Sequence, residues 1–544
     1  MYKNKITQAL LISAGLTVAA TSFSTIAAEV PEGVKLSATQ ELVRGNGTEV
    51  ESLDPQKVSG VPESNIIRDL LEGLINQDSD GNLVPGVAES WETADNKTWI
   101  FKLRNDAKWS NGDSVTADDF VYSWRRLADP RTGSPYASYL EMTTMHNALD
   151  IINGKASVES LGVEAVDTYT LKVSLDKPVP YFASMLVHTS MKPVNPKVVE
   201  KFGDKWTAVG NYTSNGAYKL DNWVVNERIV LARNEQYWDN QDTVINKVTY
   251  LPIENQVAEM NRFLAGEIDV TYEMPNEHFK RLNKEYPQDV KVTPYLCSYY
   301  YEFNTNRAPF DNVDVRKALS YAIDRDIIAK FVVGKGETPA YNFTPLATNG
   351  LEVEMPAYSK LTQKERVAKA KALLKAAGYD SNNPLNFSLL YNTSENHKKV
   401  AIAMASMWKK ELGVTAVLEN QEWKSYLDSK RQGNFDVSRA GWCGDYNEAS
   451  TFLAIMRDGH SQNYPKYSSK AYDKALDDAL AATSSDVRSA AYKNAEALLA
   501  KDMPILPIYH YVNARLVNPQ LGGYPMHNPE DNIFSKDMYI IADK

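Results

Sequence analysis

Apolar residues recur at every second position in Trp99, Phe101 and Leu103, which predicts a strand with one buried face. Asn111-Gly112, just after Trp109, supplies a tight turn. The period then lengthens. Phe120, Val121, Trp124 and Leu127 fall on one face of a helix, and Thr116 with Asp119 three residues on has the form of a capping box. These aromatics read as core. Pro and Gly clusters near 130–136 and 178–196 mark loops or crossings between lobes.

A second patterned stretch covers 361–420. Thr362 and Glu365 cap a helix that ends at Gly378, Leu385 to Tyr391 is a strand, Lys398 to Leu412 is a helix closed by Gly413, and Val414 to Leu418 is a strand. Strand–helix–strand order of this kind implies an α/β fold with a parallel sheet and helices on its faces. Ligands of such sheets gather where strand ends meet helix starts, and Tyr391-Asn-Thr-Ser-Glu-Asn-His397 is that kind of junction. His397, on a first helical turn, is therefore a candidate to assist an incoming carboxylate.

The first residues follow another logic. Lys3 and Lys5 precede an apolar run from Ala9 to Ala20 and a small-residue end, Thr25-Ile-Ala-Ala28, which together read as a secretory signal peptide over 1–27. The run is shorter than the roughly 20 residues a membrane span needs. No cysteine stands near the cleavage site, so a lipid anchor is not expected. The expected address is the periplasm. A formal charge of -10, more negative once Lys3 and Lys5 leave, makes nucleic acid a poor partner. A chain of 544 residues is long enough for several lobes.

Enzyme signatures are missing. No HExxH, CxxC pair, Walker loop, GxSxG elbow or GxGxxG fingerprint occurs, and the seven histidines show no metal spacing, so neither an enzyme nor a bound cofactor or metal is expected. Cys297 and Cys443 are the only cysteines. An even count in an oxidising compartment argues for one disulfide, the alternative being two separate buried thiols. Such a bond would set Trp442 to Asp445 beside the aromatic run Tyr295 to Tyr301.

The stretch Arg439-Ala-Gly-Trp-Cys-Gly-Asp445 carries opposite charges at its two ends, with Gly441 and Gly444 leaving backbone bare between them. On a continuous strand their even separation would turn both side chains to one face, unless the glycines introduce a bulge. A short zwitterionic peptide fits that layout. The site would read its ammonium, its carboxylate and, through an unpaired strand edge, its backbone, while its side chains vary.

Several longer motifs carry a resemblance: Gly73-Leu-Ile-Asn, Leu83-Val-Pro-Gly-Val-Ala-Glu-Ser-Trp91, Trp109-Ser-Asn-Gly-Asp, Thr116-Ala-Asp-Asp-Phe-Val-Tyr-Ser-Trp124, Asn215-Gly-Ala-Tyr218 and Arg316-Lys-Ala-Leu. With Tyr136-Ala-Ser-Tyr139, Asn222-Trp-Val-Val-Asn-Glu-Arg228, Glu419-Asn-Gln-Glu-Trp423 and Arg439 to Tyr446, the chain resembles the family 5 extracellular solute-binding proteins that feed peptide ABC importers, in their oligopeptide-binding branch. The likeness covers the whole mature chain. It implies a two-lobed hinged trap with an additional inserted domain: lobe I from 28–71, 196–296 and 513–544, the inserted domain from 72–195, and the opposing lobe from 297–512. It implies a monomer whose partners are short peptides and an inner-membrane ABC permease.

By the same resemblance Asp445 holds the peptide's ammonium, Arg439 the carboxylate of a shorter peptide, and His397 lies where longer ones end. Backbone pairing falls to the segments around Val61 and Gly441 to Cys443. Tyr136, Trp423, Trp442, Tyr295 and Tyr300 either line side-chain pockets or pack in the core. Where the family often has a lysine for peptides of intermediate length, this chain has Val333, and Lys335 two residues on is the candidate substitute. The alternatives are a murein tripeptide receptor of the same fold and a periplasmic chaperone using the same groove.

Overall fold

The computed structural model describes residues 28–349, 351–482 and 484–542, and the leader expected over 1–27 lies outside the described residues. Both capping boxes form. Thr116 heads the helix Ala117–Ala128, donating its N–H to the Asp119 carboxylate at 2.9 Å, and Thr362 heads Gln363–Ala376. Asp119 also accepts from the buried Trp109 indole at 3.1 Å, which ties the preceding turn to the helix start. Gly112 takes φ +91° in that turn, a conformation open to glycine at little cost.

Three larger sheets organise the chain. Glu41–Gly45 runs parallel to Lys247–Leu251, and Arg228–Arg233 and Tyr218–Val224 extend that sheet antiparallel. Ala88–Thr93, Thr98–Leu103, Thr170–Ser174 and Val163–Asp167 form an antiparallel sheet of four within the stretch expected to be inserted. The third has six strands in the order Thr338–Pro339, Ile505–Leu516, Val290–Phe303, Val437–Cys443, Asn386–Asn392 and Thr415–Gln421.

This sheet corrects one expectation. The unit read over 361–420 is present: Asn386–Asn392 pairs parallel with Thr415–Gln421 across the helix Glu395–Leu412. The remaining neighbours in the sheet include antiparallel ones, because two long strands from distant parts of the chain enter it side by side. Those strands, Val290–Phe303 and Ile505–Leu516, form a ribbon whose two ends lie in different cores. Val290, Ala514 and Leu516 pack with Met260 and Phe263, whereas Tyr301, Phe303, Leu506 and Ile508 pack with Val400, Met404 and Trp408. The ribbon's register shifts between Pro294 and Ser298. The boundaries expected at 296/297 and 512/513 thus fall inside continuous strands.

Candidate functional site

A cavity of about 260 Å³ opens beside this ribbon, between the first turn of the helix Val61–Leu70, the turn at 187–189 and the strand Val437–Cys443. Asp445, Arg439 and His397 all line it. So do Val61, Gly441, Trp442 and Cys443, and the rings of Tyr136, Trp423 and Tyr295. Tyr300 does not. Its register partner on the neighbouring strand is Ala440, and it turns into the core, 2% exposed, against Phe343 at 4.9 Å. Val61 opens a helix rather than a strand edge, so its segment offers the N–H groups of a first turn, which have no partner within the helix.

The sulfurs of Cys297 and Cys443 are bonded, and the two residues are direct partners in the strand ladder. The strand stops at Cys443, so Arg439 and Asp445 do not share one strand face. Gly444 donates its N–H to Leu296 O at 2.8 Å, and a side chain there would overlap Leu296 Cδ2 at 2.7 Å. A larger residue there would have to displace the buried Leu296 side chain. Asp445 consequently faces Tyr136 and His188.

Two neutral side chains stand at one oxygen of Asp445. Tyr136 Oη and His188 Nε2 each lie 3.3 Å from Oδ1, while the buried Oδ2 has no partner among the described residues. Its side chain is 6% exposed. Burial pushes the carboxyl well above the usual range; the Tyr136 hydrogen bond pulls the other way and nearby Glu530 adds to the rise. His188 stays uncharged, because burial, then Arg68 and Lys192, hold its ring down to about 3. Asp445 therefore pairs with no cation of its own at this contact, and its free oxygen is a place for one.

Arg439 is the opposite case. Its guanidinium donates to Tyr511 Oη at 2.5 Å and Asn392 Oδ1 at 3.3 Å, lies 4.7 Å from the centre of the Tyr299 ring, and keeps a buried Nε without a partner among the described residues. Those partners are neutral too. Gly441 gives the guanidinium room, since a Cβ there would come within 3.0 Å of Nη2. His397 sits 5.6 Å from the same Tyr299 ring with its Nδ1 buried and unbonded, and burial, Arg439 and Lys335 keep it neutral.

Lys335 is already engaged. Its Nζ is 2.9 Å from Glu273 and 3.6 Å from Glu337, its side chain is 4% exposed, and it does not line the cavity. Against the upward push of burial, Lys335 and the Asn396 amide hold the Glu273 carboxyl below its ordinary range. The substitution expected for Lys335 does not fit this arrangement.

Sequence reading missed His188, Tyr511 and Glu273. His188 stands in Leu-Val-His-Thr-Ser with no spacing signal, and its place beside Asp445 depends on a contact spanning 257 positions of chain. Tyr511 belongs to the long strand Ile505–Leu516, whose buried run carries no alternation to single it out.

Opposite charges on neutral supports, facing one cavity between two cores joined by a strand ribbon, define a two-lobed binding protein that encloses its ligand. Residues 82–464 match the family described as bacterial extracellular solute-binding proteins, family 5 Middle. The chain belongs to this family, whose members are binding receptors and not enzymes, and it is a periplasmic one. It is 55% identical over 540 residues to the periplasmic oligopeptide-binding protein of Salmonella typhimurium, with 99% of each chain covered. The Escherichia coli murein tripeptide-binding protein superposes with a TM-score of 0.93 at 50% identity, over 93% of this chain and 100% of that one. The Haemophilus influenzae oligopeptide-binding protein in complex with RPPGFSPFR gives 0.92 at 51% identity, over 93% and 100%. An unliganded open form of the murein tripeptide-binding protein gives only 0.67 at 49% identity, over 94% and 99%. This chain thus superposes better on the peptide complex than on that open form.

Proposed function

We propose that this protein captures short peptides by their two charged ends and their backbone, and hands them to an ABC importer in the inner membrane. One observation carries the reading: Asp445 and Arg439 line the same cavity, their hydrogen-bond partners are neutral, and Asp445 Oδ2 and Arg439 Nε are buried without partners among the described residues. An ammonium on the first and a carboxylate on the second satisfy both, and burial strengthens these charge-assisted bonds by excluding water. Side-chain tolerance follows if bridging waters complete the remaining polar groups. His397 extends the carboxylate end for longer ligands. Tyr136, Trp442, Trp423 and Tyr295 supply aromatic walls, and Val61 with Gly441 to Cys443 the backbone contacts.

The division that accompanies this reading is lobe I at 28–71, 196–296 and 513–544, an inserted domain at 72–195 and the opposing lobe at 297–512, after cleavage of residues 1–27. The protein works as a monomer. Calorimetry with tri-alanine, N-acetyl-tri-alanine and tri-alanine amide tests it. Blocking either end lowers affinity at least tenfold, about 1.4 kcal/mol; equal binding of all three ends the proposal.

The likeness to the murein tripeptide-binding protein favours a second reading, a receptor selective for cell-wall peptides. Competition decides: displacement of tri-alanine by murein tripeptide at far lower concentration selects it.

A further inference from the structure

His188 has no place in the ligand contacts proposed above, yet it reaches Asp445 from the other side of the cleft. Asp445 follows the strand Val437–Cys443, whereas His188 and Tyr136 belong to the stretch 72–195. We propose that His188 is a positioning residue that holds Asp445 Oδ1 across the cleft, presents Oδ2 to the ligand's ammonium, and so ties capture of the amine to closure. The proposal rests on the reading of Asp445 as the ammonium site.

Its geometry is specific to that task. Ser190 N–H donates to His188 Nδ1 at 3.3 Å and Ser190 Oγ lies 2.8 Å from the same nitrogen, so Nδ1 is the acceptor and the ring hydrogen sits on Nε2, the atom 3.3 Å from Asp445 Oδ1. The ring cannot easily swing away. Tyr136 stacks on it at 4.6 Å and Tyr139 closes on it at 4.9 Å, with Tyr139 Oη anchored to Met185 O at 2.9 Å. Tyr136 Oη donates to the same Asp445 oxygen, so both side chains stand at Oδ1 and neither takes Oδ2.

The neutral state matters. A protonated imidazole would satisfy the carboxylate by itself, as an ammonium does, and would compete with the ligand. A neutral donor orients the carboxylate and leaves its whole charge for the amine. Burial beside Arg68 and Lys192 supplies that neutrality.

Two substitutions separate this role from a merely structural one. His188→Asn keeps an acceptor near Nδ1 for the Ser190 turn but removes the donor that reaches Asp445; His188→Gln places an amide nitrogen near the position of Nε2. Each is compared with wild type by calorimetry on tri-alanine and N-acetyl-tri-alanine. The expected result is a loss of about tenfold for His188→Asn on the free amine, about twofold or less on the acetylated peptide, and recovery to within about threefold by His188→Gln. An equal loss on both peptides, or an undiminished amine preference in His188→Asn, overturns the proposal alone. A wild type that does not distinguish the two peptides overturns the Asp445 reading and this proposal with it.

Discussion

Arg431 and Glu51 meet in a two-pronged pair, Nη1 to Oε1 at 2.8 Å and Nη2 to Oε2 at 2.9 Å. Glu51 precedes the helix Val61–Leu70 and Arg431 ends the helix Trp423–Arg431, so the pair bridges the proposed lobes. Beside it the Trp423 indole reaches Glu63 at 3.4 Å. At the far side Glu273 meets Lys335 and Asn396, and Glu277 meets Lys399.

On the proposed division these contacts would exist only while the lobes are together. Glu51→Gln should leave the association rate for tri-alanine nearly unchanged and speed release roughly three- to tenfold, the effect of about 1 kcal/mol expected of a partly exposed pair. Stopped-flow fluorescence reads both rates. An unaltered dissociation rate would remove the pair from any part in closure.

Arg439→Gln tests the carboxylate end. Removing one member of a buried charge pair costs about 2–5 kcal/mol, so binding of tri-alanine should weaken by at least thirtyfold. Tri-alanine amide, which brings no charge to that end, should bind wild type and variant alike to within about threefold. Parallel losses on the two ligands would show that Arg439 does not receive the carboxylate.

Glu63 makes stability depend on pH. Burial outweighs its hydrogen bonds and pushes the carboxyl from 4.5 up to about 7, with Oε2 left unbonded. A raised folded-state value means the contribution is full below the unfolded value and lost as pH rises through 7, by roughly 3 kcal/mol at most. Glu63→Gln should therefore melt higher than wild type at pH 8 and lose that advantage at pH 4.5. Glu259 and Glu530, raised to about 8 and about 7, act in the same sense, so the variant flattens the profile only in part. Calorimetric melting at the two pH values measures it.

The disulfide closes a separation of 146 residues. Replacing Cys297 and Cys443 together by alanine should lower stability by about 5 kcal/mol or less, the chain-entropy figure for so long a loop. Tri-alanine affinity should fall with it, because Gly444 and Asp445 are held by the same strand end. A melting point and affinity both equal to wild type would contradict this.

Much of the architecture was legible because local signals and tertiary packing agree. Thr116 and Asp119, Thr362 and Glu365, and Gly413 at φ +73° mark helix ends through short-range hydrogen bonds and backbone sterics alone. The ribbon was not legible. Its strands are 14 and 12 residues long and bury both faces over much of their length, so they show neither alternation nor a turn where they cross between cores. At the site, the charged ends Asp445 and Arg439 stood out, as did Cys443 by its rarity. Tyr300 did not separate from its neighbours: its face of the strand depends on the register with Ala440, which sequence does not carry.

The irregular stretch at Pro294 to Ser298 has a consequence for repeated use. Were the proposed lobes to turn about this point, where two strands already break step, the halves would swing without tearing a regular ladder, so opening would forfeit few backbone bonds and closing would have few to rebuild. On that reading the carrier would cycle between loading and delivery on the same unbroken crosspiece, with its folded cores untouched.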